Sequence, residues 1–513
     1  MKSFRHLASY ALALCFVPFL FAERDVVFPP PESPHPPPAL APPNTENGSE
    51  VTDILPDPGP APRNDQGRSP PPPTNLTVIY KLQYGETLQY TQADGTKQKF
   101  EQWKSYPNDA DRLVTRVNRD LADGNNYQYA NKPLVSDGFD PADIPILYMT
   151  GDYDFKFTES EVAHLHKYLT DGGTIIFNAA RGRDEFSAAV AREMAKVFPQ
   201  KKFMRLPPDH PVFNSKFRIR QVLTQTSGIQ SSLPVEVYSM DIGTRAAAIL
   251  VPMGLGASWT GTAYHAEGKH IVGEGAMRLG VNLVAYVLGS TTYSRFLAQQ
   301  FPVYTDKTRE GDRFRYALVR YSGSWDVNPG LQNSMLFSLH DNTKINVDFA
   351  PNVVALDEPA LRNFPLVFMT GHYDFELTGK EAKGLAEYVE RGGMVVASAA
   401  AGLKPFDTAF RREMDKAFPG NKMIKIPPTH PIFSAGWSSI DKVSYTANAL
   451  SEHPDLDSPE FYGLFVGDRL AVLYTPYDLN SGLNGESNAY AKGIDTTDAQ
   501  RISNNIITYA LSH

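Results

Sequence analysis

Residues 145–213 and 365–433 are one segment written twice, identical at 30 of 69 positions with no gap and a constant offset of 220. A repeat of that spacing is too long for a solenoid unit, which runs roughly 20 to 50 residues, so each copy must be a domain with its own core. Copy one reads PILYMTGDYDF, then TESEVAHLHKYLTDGGTIIFNAARG and RLPPDHPVF. Copy two reads PLVFMTGHYDF, then LTGKEAKGLAEYVERGGMVVASAAAG and KIPPTHPIF. The likeness resumes near the C-terminus, where Arg278, Asn282 and Tyr286 recur as Arg501, Asn505 and Tyr509. Two tandem domains are therefore expected, over 75–303 and 308–513.

The residues ahead of the repeats bear on compartment. Lys2, Arg5 and His6 precede an apolar run from Leu7 to Ala22, the layout of a secretory signal peptide over 1–22. The chain is expected to be exported: periplasmic, secreted, or tethered to a membrane by an uncleaved N-terminus. From 23 to 74 proline dominates and large apolar residues are scarce, so this stretch is expected to be a disordered linker sampling polyproline conformations. The one cysteine, Cys15, falls inside the signal. A processed protein then has no disulfide, no thiolate-bound metal and no covalent haem. A net charge of −8, with acidic and basic residues interleaved, leaves no basic stripe for nucleic acid.

Within each copy apolar spacing alternates between strand and helix. In copy two, Ala317–Tyr321 reads as a strand, Leu331–Leu339 as a helix and Leu366–Met369 as a buried strand. Thr378 with Glu381 forms a capping box, and Leu385, Tyr388 and Val389 stripe the helix that follows. Gly392 and Gly393 end it. Val395–Val396 centre the next strand, Phe410, Met414 and Phe418 stripe the next helix, and Met423–Ile426 read as one more strand. In copy one Thr158, Glu161, Gly172, Gly173, Ile175 and Ile176 take the matching places. The apolar runs Ala247–Pro252 and Leu470–Pro476 close the two domains, each before a final helix. This alternation is that of an α/β fold with a mainly parallel sheet.

The run RYALVRYSGSWDVNP, the TGHYDF turn, the segment ending ASAAAG, FDTAFRREM and the PPTHPIF turn resemble a bacterial envelope family catalogued only as a domain of unknown function. That family is similar to the class I glutamine amidotransferase fold, a flavodoxin-like α/β sandwich, and the resemblance implies two such domains in tandem. It implies no activity. In amidotransferase-like folds a nucleophilic cysteine sits on the sharp turn after a central strand, and here that turn falls at Ala399–Gly402 and Ala179–Gly182. With alanine or arginine there, glutaminase and cysteine peptidase activity are not expected, and Ser398 is the one candidate for a substitute nucleophile.

Ligands of open α/β sheets bind beyond the carboxyl ends of the strands. In copy two those ends carry Ser322, Ser324 and Trp325 after the first strand, and His372, Tyr373 and Asp374 after the third. Tyr477 and Asp478 follow a later strand. Trp and Tyr beside hydroxyls and carboxylates suit a polar, sugar-like ligand. His372 and Asp374 are the candidates for acid/base work or, with His430, for metal ligation, although two groups from one turn fall short of a complete shell. His430 and its counterpart His210 equally suit a loop-fixing hydrogen bond. Copy one has Asp152 for His372, Ser187 and Ala191 for Asp407 and Arg411, and Trp103 in place of the Trp325 run. Domain one is thus expected to be degenerate. Two readings follow: a non-catalytic module of the cell envelope that binds a polar small molecule, glycan or envelope protein, and a hydrolase using His372 and Asp374 of domain two, with or without a divalent metal.

Overall fold

The computed structural model describes residues 76–91, 95–134, 139–265, 267–298, 312–328, 330–343, 345–436, 438–485 and 488–513. The expected signal peptide and linker lie outside the described residues. In domain one the main sheet comprises β1 (Leu76–Gln83), β2 (Asn126–Pro133), β3 (Ile146–Gly151), β4 (Thr174–Ala179), β5 (Met204–Arg205), β6 (Tyr238–Ile242) and β7 (Arg245–Val251). Its longer helices are α1 (Asp109–Leu121), α2 (Glu159–Thr170), α3 (Asp184–Val197) and α4 (Glu274–Gly289).

Domain two repeats this with β8 (Ala317–Arg320), β9 (Val353–Ala355), β10 (Leu366–Gly371), β11 (Met394–Ala399), β12 (Ile424–Lys425), β13 (Tyr462–Val466) and β14 (Arg469–Thr475). Its longer helices are α5 (Leu331–Asn342), α6 (Gly379–Glu390), α7 (Lys404–Ala417) and α8 (Thr496–Ser512).

Strand order is β2-β1-β3-β4-β7-β6-β5 in one sheet and β9-β8-β10-β11-β14-β13-β12 in the other. The first five strands of each run parallel, and the sixth is antiparallel to its neighbours. A parallel core whose first strand lies between the second and third is the flavodoxin-like doubly wound order. Strands β3, β4, β10 and β11 are buried at every residue, as central strands covered on both faces by helices must be. Each domain accordingly has two hydrophobic clusters.

Local chemistry explains why the copies coincide. Thr158 and Thr378 both close complete capping boxes at the starts of α2 and α6. The Gly-Gly pairs end those helices because Gly172 and Gly392 sit at φ +108 and +101, while a Cβ on Gly173 or Gly393 would lie 2.2 Å from a Tyr168 or Tyr388 ring atom. Two features are not evident in the apolar pattern. The strand expected from Met423 shrinks to two residues, and the antiparallel members β6 and β13 each carry a register shift, at Met240/Asp241 and Leu464/Phe465. Such bulges re-aim side chains, and the one in β6 carries Asp241.

The domains differ most between β1 and α1. There domain one inserts a hairpin (Leu88–Thr91 with Lys97–Phe100) and a 3-10 turn (Gln102–Lys104). After the His-Pro turn, domain one has an antiparallel hairpin (Gln221–Thr226 with Ile229–Pro234) where domain two has a short helix (Ala447–Glu452). Among the described residues no helix is long and apolar enough to cross a membrane.

Candidate functional site

The loops after β8 and β10 carry Ser322 to Val327 and His372 to Glu376, and both open into a cavity of about 620 Å³. Its other wall belongs to domain one: Gln200–Met204 before and within β5, with Ser239, Asp241 and Gly243 from β6 and its turn. The strand ends of domain two therefore face the sheet edge of domain one. Ser322, Ser324, Trp325, His372, Tyr373 and Asp374, named from sequence, all line this one cleft.

Their environments are unequal. His372 is not a solvated loop residue: it is 2% exposed, and its Nε2 lies 2.8 Å from Asp241 Oδ2. A carboxylate can only accept, so Nε2 carries the proton, which leaves Nδ1 buried and unpartnered. Tyr373 donates its hydroxyl to the same Asp241 oxygen at 2.6 Å, lies 3.0 Å from Ser239 Oγ, and packs within the hydrophobic cluster of domain one. Burial pushes the Asp241 carboxyl up, but the His372 hydrogen bond and charge, followed by Tyr373, outweigh it and hold Asp241 below the ordinary carboxylate range. Asp241 stands at the β6 bulge, and its counterpart in β13 is Phe465. Nothing in the repeat pattern points to it, because its partner lies 131 residues away.

Asp374 is 68% exposed and held 3.0 Å from Arg412, as Asp154 is held 2.7 Å from Arg192 in domain one. Its carboxylate thus has the same arginine partner in both copies. Trp325 is half-buried and packs against the domain-two core, while the Ser322 hydroxyl is donated to the Glu376 carbonyl.

Tyr477 and Asp478 lie elsewhere. Asp478 is fully buried, accepting from the N–H groups of Ala401 (2.7 Å), Asn480 (2.8 Å) and Ser481 (3.1 Å) and from Ser481 Oγ (2.6 Å). It staples the β14 loop to the β11 turn and has no oxygen left for a ligand. Tyr477 lines a separate cavity. His430 caps its 3-10 turn, with Nδ1 accepting from Ile432 N–H at 3.2 Å, and His210 does the same toward Val212 at 3.2 Å. His372, Asp374 and His430 are therefore not assembled into a metal site, and among the described residues no three His, Cys, Asp or Glu side chains are grouped to hold one.

The sharp turn after β11 persists without a nucleophile. Ala401 adopts φ +52, a left-handed conformation unusual for a residue with a Cβ. Ser398 is fully buried, with Oγ accepting from Leu479 N–H at 3.1 Å. Domain one packs on the loop that bonds to this turn through Lys492 N–H and the Ala401 carbonyl: Tyr490 stacks on Tyr286 at 5.2 Å, and Asn488 donates to Thr244 Oγ1 at 3.1 Å.

Domain one fills its own strand ends. Asp152, the counterpart of His372, accepts from Ser105 Oγ (2.8 Å), Arg181 Nη2 (2.9 Å) and Arg181 N–H (3.1 Å). Gln102 accepts from Tyr153 N–H at 3.2 Å, and Trp103 is buried in the core. Beneath them lies an ion pair, Lys81 Nζ to Asp109 Oδ1 at 2.5 Å, with Tyr148 donating to Asp109 at 2.9 Å. Burial pushes Lys81 down and Asp109 up.

Both halves of the chain match the family described as Domain of unknown function (DUF4159), over residues 80–288 and 315–511. No curated protein matches it. Among solved structures it is similar to a ThuA-like protein from Bacteroides uniformis, at 11% identity over 45% of this chain and 98% of that one, with a TM-score of 0.24. It is also similar to a cytoplasmic protein from Salmonella typhimurium, at 9% identity over 41% and 98%, with a TM-score of 0.23. Likeness at that level carries nothing about the site.

Proposed function

This chain belongs, in both of its halves, to the family described only as a domain of unknown function (DUF4159), and we propose that it is an exported, non-catalytic binding or assembly module that holds a polar ligand between its domains. The observation carrying this reading is the convergence of two domain-two loops and the β5–β6 edge of domain one on one cavity of about 620 Å³. Trp325 offers a ring, Ser324 a hydroxyl, and Asp374 and Glu376 exposed carboxylates. An aromatic surface beside convergent polar groups suits a carbohydrate, such as part of an envelope glycan. Export rests on the charged and apolar pattern of residues 1–22.

A hydrolase has less to draw on. His372 has its protonated nitrogen committed to Asp241, and Asp374 is paired with Arg412. The strained turn where a nucleophile would stand carries Ala401. Titration calorimetry of the full chain with tri-N-acetylchitotriose and soluble peptidoglycan fragments tests the binding reading. Trp325→Ala should weaken the tightest of these by about tenfold, or roughly 1.4 kcal/mol. Equal affinity in the variant, or no binding by any of them, would overturn the assignment of the cleft.

A further inference from the structure

Domain two has a second cavity, of about 640 Å³, lined by that domain alone. Its floor is Arg411 of α7, whose guanidinium lies 4.1 Å from the Tyr462 ring centre and 5.4 Å from that of Tyr474. Arg411 Nε donates to Asp407 Oδ1 at 2.8 Å, and Tyr474 donates its hydroxyl to the same oxygen at 3.0 Å. A planar cation stacked on rings and pinned by a carboxylate is held in one orientation at small further entropy cost. Tyr477 forms another part of the wall, its ring set edge-on against Tyr445 at 5.0 Å.

The duplication supplies an internal control. In domain one the positions of Asp407, Arg411, Tyr474 and Tyr477 hold Ser187, Ala191, Leu250 and Met253, by the constant offset in the helix and by strand register after it. The same scaffold thus folds with small or apolar residues at all four places. The cavity's outer wall, from Ala449 to Ser458, lies in the segment where domain one has the Gln221–Pro234 hairpin instead. Three of these replacements, Asp407, Arg411 and Tyr477, meet around one space with a remodelled connection, and the fourth, Tyr474, is buried in the core behind them and bonds to Asp407.

Charge narrows the ligand. Arg411 is paired with Asp407, Lys425 with Glu460 at 2.6 Å, and Lys492 with Glu452 at 2.8 Å. With Lys404 and Asp455 the lining holds four cationic and four anionic side chains, so a charged ligand gains no net attraction there and meets a like charge beside every opposite one. An uncharged ligand keeps the ion pairs, and hydroxyl groups, which both donate and accept, can bond to either member of each pair. We propose that this cavity, bounded by Arg411, Tyr462 and Tyr477, is a binding site for an uncharged saccharide, separate from the interdomain cleft and independent of that reading.

The test is calorimetric titration of the full chain with maltotetraose, cellotetraose and xylotetraose, with tri-galacturonic acid as the anionic counterpart. At least one uncharged oligosaccharide should bind, and Arg411→Ala and Tyr477→Ala should each weaken it by about tenfold or more. Trp325→Ala, in the cleft, should leave that affinity unchanged. Should Arg411→Ala fail to fold, Arg411→Lys keeps the charge and stem but loses the planar fork, and a several-fold loss is still expected. The proposal is overturned if no uncharged oligosaccharide binds, if tri-galacturonic acid binds more tightly, or if Trp325→Ala removes the binding while Arg411→Ala and Arg411→Lys do not. In that last case the cleft reading would stand and this one would fall.

Discussion

The two sheets end in nearly the same turn, TGDYDF after β3 and TGHYDF after β10, and the protein uses the two ends in opposite ways. Domain one covers its own end. The insertion before α1 brings Ser105 and Gln102 onto Asp152 and Tyr153, and Arg181 completes the pairing from the next strand end. Domain two has a short loop at that place, and its end is covered by domain one, through Asp241 on His372 and Tyr373 and through the Tyr286–Tyr490 stack. One backbone turn can therefore close a domain or join two, depending on which residue follows the glycine and what length of chain lies before the first helix. The joined arrangement opens onto the cleft of about 620 Å³.

This contrast can be broken most sharply beneath the domain-one turn. Lys81 and Tyr148 are register partners in β1 and β3, and the corresponding pair in β8 and β10 is Leu318 and Phe368. Lys81→Met would leave Asp109, which is fully buried, without its counter-charge. The expected loss is about 3–5 kcal/mol, since removing one member of a buried pair strands the other. Lys81→Leu combined with Asp109→Asn should recover much of it, as domain two manages with apolar residues. A loss below about 1 kcal/mol for Lys81→Met in denaturant titrations would mean that the pair is not the buried charge it resembles.

A smaller effect is expected at the interface itself. Asp241→Ala removes the acceptor of His372 Nε2–H and Tyr373 O–H, and both donors are buried. The cost should be about 1–3 kcal/mol. Asp152→Ala in domain one should cost less, because Arg181 is 16% exposed and can turn to water. Equal losses from the two changes would mean that the joined and the self-covered ends are energetically alike, which would remove the basis of the comparison.

The smallest expected effect is a pH slope. Burial lowers the His210 imidazole to about 3, with Asp241 opposing and His372 adding to the shift. A histidine whose folded value lies below its ordinary 6.5 binds its proton first in the unfolded chain. Its stability contribution is full above that value and falls as the solution is acidified toward pH 3. Between pH 6.5 and 5.5 the loss should be about 1 kcal/mol. His210→Asn, which retains a side-chain acceptor for the 3-10 turn, should flatten that slope, whereas His430→Asn should change it less because His430 is only half-buried. An unchanged slope in His210→Asn would show that the buried imidazole is not the group responsible. Below about pH 4 a further loss is expected from Asp241, whose depressed carboxyl contributes stability only while ionised.

The amino-acid sequence by itself determined the duplication, the alternation of the central strands and helices, both capping boxes and the Gly-Gly helix ends. These are set by short-range chemistry: apolar spacing, a side chain three residues from a backbone donor, a turn that admits no Cβ. It also placed Ser322, Ser324, Trp325, His372, Tyr373 and Asp374 together, because the strand-end rule follows from topology and topology follows from element order. Tertiary structure alone decided what covers each end. It turned Asp478 inward as a loop staple, set Tyr477 on a second cavity, buried Tyr373 in the core of the other domain and aimed Asp241 through a bulge at His372. Local pattern records which face of its own element a residue occupies. It carries no record of which distant segment will close over that face, and at these strand ends the closing segment governs burial, pairing and the presence of a cleft.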